Sequence, residues 1–382
     1  MKSYDWIVIG GGITGAALAY ELSQQKGNVL LLETAATPNN ATRYSYGGLG
    51  YWGGSDAQTQ QLCEEGLARH RDLSAELEAD TEFREIDLLM TIAPQEDIAT
   101  VKASYDKFAI APTFLDPQTA QECEPLLNAN AIAGALHLPH AHIHPQKTTE
   151  AYLQAWQRQG GTLRYETVLN FLYDQQRVTG VQTAQNSYWS DRVVICAGGF
   201  SRALLQEVGI DVPLYFTHAE IIETAPVEVQ LRGMIVPATL QRLALQNQAT
   251  LATVAPLWRK PDRELAPAIL DPGVIQFRDR HLCIGQISRT LSNPKASLDA
   301  AGSMSQIRAG IAPILPEIAA IPGHWRHCLV AFSPDLLPYL GALPQKEGLY
   351  LFSGFTNTLV LVPSLARRFA LWAIGARTSI LN

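Results

Sequence analysis

No run of 18 or more uninterrupted apolar residues occurs in the chain, so no membrane span is expected. Cysteine is sparse: Cys63, Cys123, Cys196, Cys283 and Cys328 are scattered, odd in number and never spaced as CxxC. That pattern argues against a disulfide framework and for a reducing compartment, the cytoplasm. Basic residues form no stripe, and 29 Lys+Arg against 36 Asp+Glu leave a net charge of -7. A nucleic-acid-binding surface is therefore not expected. A signal peptide is not expected either. Lys2 precedes an apolar run, but Asp5 interrupts its start, glycines punctuate it, and Glu21 stands where cleavage would fall. Internal repeats and low-complexity segments are also lacking. What remains is ordinary globular material, 47% hydrophobic and 17% charged. At 382 residues the chain exceeds the usual size of one compact core, so two domains are expected.

The richest stretch is "DWIVIGGGITGAALAYELSQQKGNVLLLE", residues 5–33. Trp6 to Ile9 reads as a short buried strand of a parallel sheet. Ala16 to Gln25 reads as a helix, and Asn28 to Leu32 as a second strand closed by Glu33. Between strand and helix stand Gly10, Gly12, Ile13, Thr14 and Gly15 in GxGxxG spacing. Gly10 permits the tight turn, Gly12 lets backbone approach a pyrophosphate, and Gly15 lets helix and strand pack closely. The helix start offers free N–H groups and a positive dipole end to phosphates. Glu33 is placed to accept hydrogen bonds from ribose hydroxyls, and an acid there disfavours a 2′-phosphate. The motif by itself does not separate FAD from NAD.

Four of the nine histidines crowd into "HLPHAHIHP", residues 137–145. On an extended strand, His140, His142 and His144 point to one face, as a metal site needs. No Cys, Asp or Glu is interleaved, and a polar strand is the competing reading. Further on, "PQKTTEAYLQAWQRQGG" reads as a helix that starts at Pro145 and stops at Gly160–Gly161. Val193 to Cys196 is a buried run ending in Ala197-Gly198-Gly199, where small residues let a cofactor lie against backbone. "GLYLFSGFTNTLVLVPSLARRFALWAIG" reads as a strand, a loop from Gly354 to Thr358 and an apolar helix. Backbone N–H groups in that loop suit a developing negative charge.

With these blocks in hand, the chain resembles the FAD-dependent D-amino-acid oxidase superfamily, which includes glycine oxidase, sarcosine oxidase and D-amino-acid dehydrogenase. The blocks are the N-terminal fingerprint, "ATRYSYGGL" (41–49), "VVICAGGFS" (193–201), "SPDLLPYLG" (333–341) and "GLYLFSGFTNTLVLVP" (348–363). They follow the family's order along the chain. The resemblance implies an α/β fold, α+β overall, in which a Rossmann-like FAD-binding domain is interleaved with an antiparallel-sheet substrate domain. Residues 1–80, 140–212 and 323–382 would bind FAD, and 81–139 and 213–322 would build the substrate domain, with 225–272 as a lid-like insertion. Non-covalent FAD is expected. Thr42, Arg43 and Ser45 match the segment that meets its phosphates, and Gly47, Gly48 and Leu49 match the turn beneath the flavin ring. Val168 matches the residue whose backbone meets the adenine. Ala197 and Gly198 match a second flavin-contacting strand end. Gly354, Phe355, Thr356, Asn357 and Thr358 match the loop beside the pyrimidine end. The matching block around the histidines carries no metal in the family, so none is expected here.

The implied reaction is oxidation of a C–N bond in a small amine or amino acid. The amine carbon gives a hydride equivalent to flavin N5, and O2 or a quinone-type acceptor takes the electrons. Two departures stand out. Relatives carry an arginine for the substrate carboxylate between a Trp-x-Gly and a Pro-Asp block. Here that stretch is "WRHCLVAFSPD", with His327 at the usual glycine and Leu329–Val330 in the arginine's place. Arg326 is out of step, and Arg278 and Arg289 are the substitutes the sequence offers. Where relatives often read Arg-Gly-Gln, this chain has His218-Ala219-Glu220. His218 and Glu220 are the candidate catalytic residues, and a structural hydrogen bond is the other reading of His218. Tyr51, Trp52, Phe332 and Phe355 are candidate pocket walls, with core packing as the alternative. The departures keep two further readings open: an FAD-dependent dehydrogenase of a hydroxy acid or other non-amino-acid metabolite, and a flavin-binding sensor or partner protein without turnover.

Overall fold

A computed structural model describes residues 3–376 of the chain. Two large sheets organise it. The six-stranded sheet runs Tyr339–Ala342, Leu349–Ser353, Val193–Ile195, Trp6–Ile9, Val29–Glu33 and Thr162–Tyr165. All neighbours are parallel except the Tyr339–Ala342 hairpin strand. Its central strands are continuous apolar runs because both faces are covered. Trp6, Val8, Val29, Leu31 and Val194 point into a core built with four helices, Ile13–Gln24, Ala57–Glu76, Pro145–Arg158 and Thr358–Ala373. Their neighbours Ile7, Ile9, Leu30, Leu32, Val193 and Ile195 face a small sheet formed by Val168–Asp174, Arg177–Thr183 and Ser187–Trp189.

The helices of the first core pack unusually close at one point. A Cβ at Gly66, in the helix Ala57–Glu76, would stand 1.9 Å from the carbonyl oxygen of Val360. One turn later on the same face, His70 is fully buried and its Nε2 donates to the carbonyl of Leu359 at 2.7 Å. In a regular helix that carbonyl would accept from the residue four positions on. That residue is Pro363, inside the helix, which has no N–H to give. The neighbouring helix supplies the missing donor.

The second sheet has nine strands. Eight lie in the order Gly323–Phe332, Tyr215–Thr224, Leu282–Leu291, Glu264–Gln276, Met234–Pro237, Arg84–Ile92, Gly134–His142 and Gly48–Leu49, and Thr113–Leu115 also pairs with Gly134–His142. It is antiparallel apart from the Met234–Pro237 and Arg84–Ile92 pair. Ile222, Ile284 and Ile287 cover one face together with Ile307 and Ile311 of the helix Ala300–Ile311. The other face carries Ile221, Ile275, Phe277 and Cys283 against Tyr44 and Tyr46.

The sheets cut across the expected segments. Strand Gly323–Phe332 pairs along ten residues with Tyr215–Thr224 in the nine-stranded sheet, whereas Leu349–Ser353 belongs to the six-stranded one. The segment 323–382 is therefore shared between them. Gly48–Leu49, within 1–80, pairs with His142 and Ala141 in the nine-stranded sheet. The segment 225–272 has structure of its own, including the helix Gln241–Ala249. No helix among the described residues is long and apolar enough to cross a membrane.

Candidate active site

The turn after the first strand forms a cradle that side chains would fill. Gly10 has φ +108°, and a Cβ there would lie 2.6 Å from the carbonyl oxygen of Cys196. A Cβ at Gly15 would come within 1.8 Å of the Gly10 carbonyl oxygen. Helix Ile13–Gln24 starts at Gly12 without a side-chain cap, and the N–H of Ile13 donates to Thr42 Oγ1 at 3.1 Å. Thr14 donates to the Cys196 carbonyl at 3.4 Å, which ties the turn to the next strand end. Glu33 Oε2 accepts from the Gly11 N–H at 2.6 Å, and Oε1 accepts from Ala35 at 3.3 Å. An open groove with a cavity volume of about 130 Å³ runs past Gly11, Gly12, Glu33, Asn40, Thr42 and Arg43 to Tyr165. The close backbone, the uncapped helix start and the carboxylate beside them fit the pyrophosphate and ribose of FAD. Val168 follows shortly after Tyr165 but is not among the groove's lining residues.

From the groove the chain leads to the turn expected beneath the flavin. Ser45 accepts from the N–H of Gly47, whose φ is +75°. A Cβ at Gly47 would meet the Ile143 carbonyl oxygen at 2.2 Å, and one at Gly48 would meet His140 Nε2 at 2.7 Å. The histidine cluster thus packs against this turn. His142 is fully buried with neither ring nitrogen hydrogen-bonded, while His140 Nδ1 accepts from the Trp52 indole at 3.2 Å. Burial lowers both, His140 to about 4. His144 lies beyond the strand as the cap of helix Pro145–Arg158, and His137 pairs with Asp87 at 2.9 Å. Leu49 is buried in the first core. Among the described residues no three His, Cys, Asp or Glu side chains are grouped to hold a metal.

Two further turns border this region. Gly198 has φ +52° with open space at its Cβ direction, Ala197 precedes it, and Gly199 backs onto Leu329. Gly354 has φ +84°, Asn357 Nδ2 donates to the Gly50 carbonyl at 2.8 Å, and Thr358 Oγ1 donates to the Phe355 carbonyl at 3.1 Å. Thr356 Oγ1 is buried without a partner.

The sheet face, not the strand itself, decides what His218 and Glu220 do. They alternate with Thr217, Ala219, Ile221 and Glu223. Ile221 faces Tyr44 and Tyr46, while Ile222 faces the helix Ala300–Ile311. His218 and Glu220 share the face of Ile222, away from the flavin turn. His218 is within 2.9 Å of His327 and stacks on it, with burial lowering it to about 4. Glu220 accepts from Arg289 Nε at 2.7 Å and from the Trp325 indole at 2.9 Å. Phe332 is 1% exposed among Tyr215 and Trp258, and Phe355 is 3% exposed against Phe352, so both are core. Tyr51 and Trp52 are half-buried; Trp52 packs on Tyr105 and Phe108.

The expected arginines are engaged elsewhere. Arg289 is held by Glu220, and Arg278 binds Asp80 at 3.3 Å and the Phe83 carbonyl at 3.1 Å. Arg326 and Arg43 both clasp Glu223, at 2.9 and 2.5 Å, and both lie over the Tyr44 ring. Burial alone would raise Glu223, but these two guanidiniums hold it below the usual carboxylate range.

Arg242 is the residue that the sequence reading passed over. It lies in the helix Gln241–Ala249, whose buried residues are Leu245, Gln246 and Ala249. The 242, 245, 246, 249 spacing was the available signal, because it puts Arg242 on the packed face. Its electrostatic neighbours are Asp271 and Cys328.

A family model described as FAD dependent oxidoreductase matches residues 5–372. The 4-methylaminobutanoate oxidase (formaldehyde-forming) of Paenarthrobacter nicotinovorans is 23% identical over 97% of this chain, which spans only 43% of that protein. Glycine oxidase of Pseudomonas putida is 25% identical, with 98% of this chain and 95% of that protein covered. The crystal structure of glycine oxidase from Geobacillus kaustophilus superposes with a TM-score of 0.80 at 21% identity, covering 99% of this chain and 96% of that one.

Proposed function

The chain belongs to the FAD-dependent oxidoreductase family, and from that premise we propose that it oxidises the C–N bond of a small amine or amino acid. The observation that carries this reading is the match to glycine oxidase along nearly the full length of both proteins. Bound FAD supplies the hydride acceptor, and the protein supplies binding, orientation and exclusion of water. Gly10, Gly12 and Gly15 with the start of helix Ile13–Gln24 would hold the pyrophosphate, and Glu33 the ribose. Gly47, Gly48, Ala197 and Gly198 would bring backbone against the ring. The N–H groups of Gly354 to Thr358 would stabilise negative charge at its pyrimidine end. Ile221, Ile275, Phe277 and Cys283, packed on Tyr44 and Tyr46 ahead of the Gly47 turn, would offer an apolar wall that excludes water. His218 and Glu220 lie on the opposite sheet face from Ile221, held by His327 and by Arg289 and Trp325.

The test is the visible spectrum of the purified protein before and after acid precipitation, followed by anaerobic mixing with amines and amino acids. Bands near roughly 370 and 450 nm that pass into the supernatant indicate non-covalent flavin. Bleaching, with ammonia or an alkylamine released on turnover, supports the proposal. Peroxide formation identifies O2 as acceptor, whereas turnover only with a quinone identifies a dehydrogenase. The absence of arginine at Leu329–Val330 favours a second reading, dehydrogenation of a hydroxy acid or other non-amino-acid metabolite, which predicts dye reduction without amine release. Bound flavin that none of these substrates reduces would leave a binding protein without turnover.

A further inference from the structure

In the middle of the nine-stranded sheet the ladder skips one residue. Ile221 pairs with Gly285 and Glu220 with Ile287, which leaves Gln286 as the extra residue between them. The neighbouring strand slips at the same place, where Gly273 pairs with Gly285 and Leu270 with Ile287. Such a bulge re-aims the side chain it frees. The new aim is fixed by a hydrogen bond: Gln286 Nε2 donates to Ser288 Oγ at 2.9 Å. Ser288 and Cys328 stand opposite Ala219 in register, and directly opposed residues share a face. Ala219 alternates with Ile221, so the Gln286 amide lies on the face of Tyr44 and Tyr46. Tyr46 Oη donates to the Gly273 carbonyl at 3.3 Å. The turn into Gly47 and Gly48 therefore stands where Gln286 leaves the ladder.

All ten residues of Tyr215–Thr224 are buried, and so are Gly285, Ile287 and Ser288, whereas Gln286 is half-buried. Its accessible surface lies on the side of the flavin turn, where the substrate has to sit. The amide nitrogen is anchored, and Oε1 accepts no hydrogen bond among the described residues. We propose that Gln286 sets the substitution state of the substrate nitrogen: Oε1 accepts from an N–H of the neutral amine. Primary and secondary amines supply that donor. A neutral tertiary amine has none and leaves Oε1 enclosed without a partner, which disfavours it. Ser288 is the positioning residue that holds the amide in this orientation. The proposal rests on the C–N oxidation reading above and names its substrate class.

The experiment compares glycine, N-methylglycine and N,N-dimethylglycine on the FAD-loaded protein, a series whose neutral nitrogen keeps two, one and no N–H groups. Two readouts are taken without oxygen: perturbation of the flavin spectrum on binding, and the rate of bleaching, both expressed per neutral amine. In the wild type N,N-dimethylglycine should be about 10- to 100-fold weaker than N-methylglycine, the loss expected when an enclosed acceptor is left unpaired. Gln286→Met, similar in length but without the acceptor, should bring the two ligands level. Gln286→Glu keeps an acceptor and should keep the preference, a rescue that a purely structural role does not give. Ser288→Ala, which frees the amide, should lower the preference part-way, and it gives the same comparison where Gln286→Met does not hold FAD. An unchanged preference in Gln286→Met would overturn the proposal. So would a wild type that takes N,N-dimethylglycine as readily as N-methylglycine, or one that none of the three ligands perturbs. Perturbation without bleaching would defeat the oxidation reading, while the binding preference would still decide the role of Gln286.

Discussion

His70 and Pro363 offer a direct energetic test of the helix packing beneath the candidate site. Replacing His70 by Leu puts an apolar side chain of similar size in its place and removes the side-chain donor to the Leu359 carbonyl. Leaving such a group unsatisfied costs about 1–3 kcal/mol. Pro363→Ala restores the N–H that the helix itself would direct at that carbonyl. In the Pro363→Ala background the His70→Leu cost should therefore shrink, giving a coupling of about 1–2 kcal/mol in a double-mutant cycle. The assay is urea unfolding at saturating FAD, followed by circular dichroism and tryptophan fluorescence, with coincident curves as the condition for using midpoints. Additive effects, with coupling below about 0.5 kcal/mol, would refute the argument that His70 replaces the missing helix donor.

Other expectations follow from the cradle and the buried ionisable groups. Glu33→Ala should weaken FAD by about 10- to 100-fold, as measured by quenching of FAD fluorescence; an unchanged Kd would mean that the ribose is held elsewhere. Gly15→Ala places a Cβ 1.8 Å from the Gly10 carbonyl oxygen, so the purified variant should carry little flavin; a full complement would contradict that packing. Burial lowers His70 and His140 to about 4, so the unfolded chain binds more protons below its ordinary histidine value of 6.5. Stability should be full above about pH 6.5 and fall toward pH 4, by about 3 kcal/mol for each histidine, with a flat urea midpoint across that window as the contrary result. Burial pushes Asp271 up to about 6 against the pull of Arg242, with Tyr46 and Tyr105 also in its field. The fold disfavours its charged form, so Asp271 should cost stability as pH rises from about 4 to 6, and Asp271→Asn should remove that cost from the urea midpoint.

The legible part of the site was local. The GxGxxG turn, the helix after it and Glu33 lie within 24 residues, and the structure brings Gly11, Gly12 and Glu33 to one groove with Gly15 packed closely on Gly10. The histidine pattern was legible as a strand, but its purpose was not: His140 and His142 pack against Gly48 and Gly47, almost a hundred residues away. His218 and Glu220 show the same limit. Alternation told that they share a face, but which face depended on the helix Ala300–Ile311 covering Ile222. Arg242 escaped notice because nothing near it in sequence carries chemistry.

What the sequence by itself determined is the set of turns and helix starts whose geometry depends on a few consecutive residues: a positive φ at Gly10, an absent Cβ at Gly15, an acid at the strand end. Those constraints are steric and short-ranged, so spacing alone expresses them. Only the tertiary structure decided which side of the nine-stranded sheet meets the flavin turn, which arginines are already paired, and which buried carbonyl needs His70. Each of those depends on strands and helices distant in the chain, because sheet faces and ion pairs are defined by what packs against them and not by the residues beside them.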